Sequence, residues 1–201
     1  MGKKTPNPTP DDATWFDHQQ LLFWLQACLR DAEVYFSSSN ASKAAFDKMF
    51  SGGFEAIEQH KDEHQKLSDQ QTLDAYHFIV VTGNLLRLLK RAKHLFPAIQ
   101  PPYSRAKHLL SEGKELRDMI EHSHGNDGYL AGGGNHPEKF VRDGAPKPGI
   151  TADATSTIID ENGHWLGGRL CVERVLKEVS EIYQEAREIP PPTDGGGKKA
   201  D

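Results

Sequence analysis

Cysteine is scarce in this chain, with two in 201 residues. Cys28 and Cys171 lie far apart among apolar neighbours, which suits buried free thiols better than a disulfide framework and points to a reducing, cytoplasmic setting. Long hydrophobic runs are missing too. No apolar stretch approaches the roughly 20 residues that span a bilayer, so no membrane contact is expected. Lys3 and Lys4 have no apolar core behind them, and the opening segment does not read as a secretory signal. A basic surplus is also absent: the net charge is −5, which excludes a surface that is positive all over. No G-x-S-x-G elbow occurs and no P-loop. The two GGG runs, at 132–134 and 195–197, neither follow a strand nor open a helix.

What is present is a soluble composition, 36% hydrophobic and 26% charged, with apolar residues at helical spacing. Residues 1–12 read as a disordered lead-in rich in Pro, Thr and Asp, and 189–201 as a tail broken by prolines. Between them, 13–188 reads as one helical domain. Phe16, Leu21, Trp24, Leu25, Cys28, Leu29 and Phe36 step by threes and fours along a first helix capped by Asp12 or Thr14. A second helical region, about 42–67, is interrupted by Ser51-Gly52-Gly53. A third runs from about 70 to 96 and is stopped by Pro97, Pro101 and Pro102. A fourth spans about 104–122. Residues 125–150 read as a long glycine-rich loop. Two β-type runs around Asp160-Glu161-Asn162-Gly163 predict a hairpin at about 155–166. Leu170, Val172, Val175, Leu176, Val179 and Ile182 predict a last helix to about 188. The expected fold is all-α: a four- to five-helix bundle with a short β-hairpin, inside the 125–168 insert, before the last helix.

Charge is unevenly spread. From Arg87 to Arg117 eight basic residues face Glu112 and Glu115, a balance of +6; from Phe54 to Asp74 the balance is −4. Two short patterns stand out. His60 and His64, with Glu63, match H-x-x-E-H, a zinc-protease pattern. The sequence marks no third ligand and the flanks are polar, so this reads as an exposed helix end. No metal or cofactor is expected. The second pattern is the segment 115–125, ELRDMIEHSHG. Asp118 and His122 stand at i and i+4, as do Arg117 and Glu121, so each pair shares a helix face. Arg117 and His122 are about 140° apart around an ideal helix and cannot meet within it. They could meet where the helix ends, or across two copies of the chain. The plainer reading is two ion pairs with histidines favourably placed at a helix C-terminus.

An R-x4-H motif with a polar residue after the arginine, late in a helical bundle, resembles the HEPN superfamily. The similarity covers roughly 14–188, including the glycine-rich loop, short β segment and last helix of one bacterial branch. The resemblance implies a metal-independent endoribonuclease acting as a toxin or defence component, a homodimer with both motifs in one cleft, an RNA substrate, and a cognate antitoxin or partner protein. In that chemistry Arg117 would hold the phosphate, His122 would exchange the proton of a 2′-hydroxyl, and Asp118 would orient His122. Glu121 and His124 would support them, with His124 a second proton carrier. Arg105, Lys107 and Lys114 would bind the RNA backbone. The alternative is a non-catalytic helical interaction module, which the acidic total favours.

Overall fold

A computed structural model describes residues 10–123 and 137–190. It is mostly helical. Helix α1 runs Pro10–Phe50, α2 Gly53–Leu95 and α3 Gln100–Glu121. The one-turn α4 (Pro137–Phe140) and strands β1 (Val141–Asp143), β2 (Thr151–Asp153), β3 (Thr157–Asp160), β4 (Gly163–Leu166) and β5 (Leu170–Cys171) follow, and α5 (Val172–Arg187) closes the fold.

The helices are fewer and longer than their sequence suggests. Helix α1 begins at Pro10, where proline's fixed φ suits a first helical turn, so the expected lead-in is shorter by the helix's first turn. It then passes through the serine-rich stretch at 37–39 without breaking. Ser38 Oγ donates to the Tyr35 carbonyl at 3.0 Å, and this local bond lets a polar stretch stay helical. The break falls where Ser51-Gly52-Gly53 places it, with Gly53 at φ +73°. The next two expected helices are one, α2, because nothing between 67 and 70 stops it. Each of the two hairpin helices exceeds forty residues, about 60 Å at 1.5 Å per residue.

The core is one apolar cluster drawn from α1, α2, α3 and α5, sealed by Leu166 and Leu170 of the strands. Helix α5 has the sharpest division, burying Val172, Val175, Val179, Ile182 and Ala186 along one stripe. Cys28 and Cys171 are both free and buried, and burial pushes the Cys28 thiol up to about 12, far from a reactive thiolate. His18, 2% exposed, donates from Nε2 to the Ala186 carbonyl at 2.8 Å and pins α1 to the end of α5.

The strand content exceeds the one predicted hairpin. That hairpin forms, β3 against β4 with Asp160 opposite Gly163, and the Asn162 amide donates to the Asp160 carboxylate at 2.9 Å. Strand β5 extends it to three strands, and β1 pairs with β2 in a second small antiparallel sheet. So 137–150, expected as loop, carries a helical turn and β1, and β2 follows at Thr151–Asp153; 125–136 lie outside the described residues. The helical class holds, and the bundle carries two small antiparallel sheets where one hairpin is expected.

Two close approaches position α3. A Cβ on Gly113 would stand 2.7 Å from Thr82 Cγ2, so α2 and α3 touch almost backbone to backbone there. One turn further along, Gly83 of α2 faces α3 at ordinary contact distance, a Cβ there standing 3.4 Å from Lys114 Cα and 3.5 Å from Arg117 Nη1. Gly167, at φ +58°, lies where a Cβ would run into Leu116. The helix bearing the R-x4-H motif is thus held on both sides by residues that lack a side chain.

Candidate functional site

The last two turns of α3 carry the motif. Arg117 is partly buried and lies beside Gly83. Its Nη2 donates to Asp118 Oδ1 at 2.6 Å, and Nε reaches the same oxygen at 3.2 Å. Nε also stands 3.6 Å from Glu121 Oε2, the i,i+4 pair that spacing anticipates. The other oxygen of Asp118 accepts from Lys114 Nζ at 2.6 Å. Tyr76, across on α2, donates its hydroxyl to Glu121 Oε1 at 3.1 Å. The result is a chain of five side chains, Lys114–Asp118–Arg117–Glu121–Tyr76, joining α3 to α2. Burial alone would raise the Asp118 carboxyl, but the hydrogen bonds from Lys114 and Arg117 outweigh it and hold it below its ordinary value. Burial, and then the bond to the Glu121 carboxylate, raise the Tyr76 phenol.

His122 ends the helix. Its backbone N–H donates to the Asp118 carbonyl at 3.0 Å, and its own φ of −113° leaves the helical range. The exposed imidazole has no partner among the described residues. The expected orientation of His122 by Asp118 is therefore not made within one chain. Two cations, Lys114 and Arg117, claim both carboxylate oxygens, and the chain turns away at the position where the imidazole would have to approach. His124 lies outside the described residues.

The three expected RNA-facing residues separate. Arg105 spends both arms of its guanidinium on α5, Nε to Glu178 Oε1 at 2.9 Å and Nη2 to Glu185 Oε1 at 2.6 Å. It is a helix-to-helix tie, set on the side of α3 roughly opposite Lys107 at about 100° per residue. Lys107 and Lys114 fall within about 20° of one another by the same period. Lys107 is exposed, and Lys114 is occupied by Asp118.

The H-x-x-E-H segment lies on the first half of α2. His60 Nδ1 is 3.5 Å from Glu63 Oε2, which also accepts from Lys48 at 3.2 Å, and His64 packs against the Phe46 ring. Among the described residues no group of three or more His, Cys, Asp or Glu is arranged to hold a metal ion. No helix among them is long and apolar enough to cross a membrane.

Sequence reasoning missed Tyr76. It also lines an apolar cleft of about 340 Å³ between α2, Ile120 of α3 and the β2–β3 turn. Nothing local marks Tyr76, because its partner Glu121 is 45 residues away. A second pair was missed: His164 Nδ1 lies 2.6 Å from Glu173 Oε1, and the His164 N–H donates to Oε2 at 2.9 Å. Burial works to raise the Glu173 carboxyl, and the bonds from His164 overcome it and lower it. This pair fastens the hairpin to the first turn of α5.

Comparison with family models, with curated proteins and with solved structures gives no match.

Proposed function

We propose that the chain is a HEPN-like, metal-independent endoribonuclease whose site is built on Arg117 and His122. The observation that carries the reading is the end of α3: a guanidinium held rigidly by two carboxylates, and five residues later an exposed imidazole at the helix terminus. The clamped Arg117 suits a phosphate, whose charge it would share with its carboxylates, and the His122 imidazole suits proton transfer. Two copies meeting at the ends of α3 would bring the Arg117 of one to the His122 of the other, which overcomes the angular separation within one helix. A toxin or defence role, with a cognate antitoxin, follows from the same resemblance.

Lys107 and Lys114 remain the backbone-binding residues of this reading; Arg105 leaves it. The commitment of Arg105, Lys114 and Arg117 to carboxylates favours the second reading, a helical module that binds a partner without chemistry.

Incubation of purified protein with mixed RNA in EDTA separates the two. Cleavage is expected to leave 2′,3′-cyclic phosphate ends, and a 2′-deoxy substrate is expected to be inert. His122→Ala should lower the rate by about 10²–10⁴-fold, and Arg117→Lys should not restore a bidentate phosphate contact. Folded parent protein that cuts no RNA, or a folded His122→Ala variant that cuts as well as the parent, sinks the nuclease reading.

A further inference from the structure

A second cleft, of about 580 Å³, opens where α1, α2 and β3 meet. It is separate from the residues of the R-x4-H site, and its chemistry is unusual for a gap between helices. Its lining is rich in hydroxyls: Ser39 and Ser42 of α1 are 2% and 6% exposed, Ser68 and Gln71 of α2 are half-buried, and Thr157 of β3 stands exposed at the mouth.

Behind that wall lies Tyr35, fully buried, with no formed hydrogen bond to its hydroxyl. The side chains that reach toward this hydroxyl are Gln71, Ser39 and Thr157, all three of which line the cleft. A buried phenol without a partner is costly, and burial pushes it up to about 12, so it stays a neutral donor and acceptor. Gln71 already donates to Ser39 at 3.3 Å, which leaves its amide oxygen to accept. The Ser42 and Ser68 hydroxyls make no side-chain hydrogen bond among the described residues.

The charge of the lining decides the ligand. Two basic side chains line the cleft, Lys43, held by Asp47 at 2.6 Å, and His64, packed against the Phe46 ring; no carboxylate lines it. A cation would find no counter-charge, and an anion would have to draw Lys43 from Asp47 or His64 from Phe46. The remaining groups both donate and accept, as hydroxyls of a ligand do. Phe46, 46% exposed, and Ile159 supply apolar rims, matching the C–H face of a pyranose ring. The volume falls within the usual range of small-molecule sites. We propose that this cleft binds a neutral carbohydrate of one or two pyranose rings.

The test is a saturation-transfer and amide-shift titration of the full chain by NMR. Glucose, galactose, mannose, N-acetylglucosamine, maltose and lactose are each taken to about 20 mM, above the millimolar range in which weak sites saturate. At least one is expected to bind saturably, with shifts at the Ser39, Ser42, Gln71 and Thr157 amides. Gln71→Leu and Ser42→Ala should each weaken it by about fivefold, the effect of one lost hydrogen bond. Tyr35→Phe keeps the packed ring and the fold, checked by circular dichroism, and, because the hydroxyl lies behind the lining, is expected to weaken binding less than Gln71→Leu does. The proposal is overturned if no sugar saturates, if a sugar binds folded Gln71→Leu as well as the parent, or if inorganic phosphate binds saturably where the sugars do not.

Discussion

Helix α2 contains two regions of opposite character. From Gly53 to Leu73 it buries no residue; from Asp74 to Ala92 it buries ten, including Phe78, Leu85 and Leu89. The backbone hydrogen bonding is the same throughout, and the difference is the partner. The first half lies against the end of α1, along a contact that includes His60 and His64, and only its last turn reaches the β3 region. The second half is gripped by α1, α3 and the strands. Helical stability comes chiefly from tertiary burial of an apolar face. One continuous helix can therefore be rigid at one end and loosely supported at the other. The R-x4-H motif packs on the well-held half, through Gly83 and Tyr76. The hydroxyl-lined cleft sits where the two halves meet.

The sharpest test replaces one aromatic from each half. Phe78→Ala, at a fully buried site, is expected to cost about 3–5 kcal/mol. Phe54→Ala, 77% exposed, should stay within about 0.5 kcal/mol. Denaturant unfolding measures both, and equal losses would abolish the distinction. A smaller effect is expected from glycine. Gly113→Ala forces a methyl against Thr82 and should cost about 1–3 kcal/mol. At Gly53 a Cβ meets nothing within 4 Å, so Gly53→Ala should cost only the strain of its positive φ, about 1 kcal/mol. Smaller still is the pH response of the α3 network. The folded pKa of Asp118 is depressed, so its contribution is present above the unfolded carboxyl pKa and fades as pH falls through the folded value. Asp118→Asn should flatten that acid limb slightly and leave stability near pH 9 only marginally lower, since exposed ion pairs contribute little. An unchanged acid limb would show that the network does not hold α3.

Much of this was legible in the sequence wherever the signal is local. The Ser51-Gly52-Gly53 break, the Asp160–Gly163 hairpin, the apolar stripe of α5 and the Arg117–Glu121 pair all follow from neighbours within a few residues. The misses share the opposite property. Strand β1 has all three residues exposed, so no alternation of apolar and polar positions betrays it. The fate of Arg105 is decided by acids 73 and 80 residues away. Asp118 turns from His122 to Lys114 and Arg117 because three groups compete for two oxygens: spacing gives Lys114 and His122 the same i,i+4 claim and gives no sign of the adjacent Arg117. Tyr76 enters the network only because α2 and α3 touch at Gly83 and Gly113.

The bond between the His18 ring and the Ala186 carbonyl also has a bearing on how the chain is made. It joins positions 168 residues apart, and α5 fills the groove that α1 and α3 leave open. A nascent chain would build the α1–α2 hairpin early, from contacts close in sequence. Its apolar face would then stay uncovered through the synthesis of α3 and both sheets. Only when α5 clears the ribosome can that face close, so while Leu95 to Arg187 are being made this protein is a pair of long helices in need of shelter.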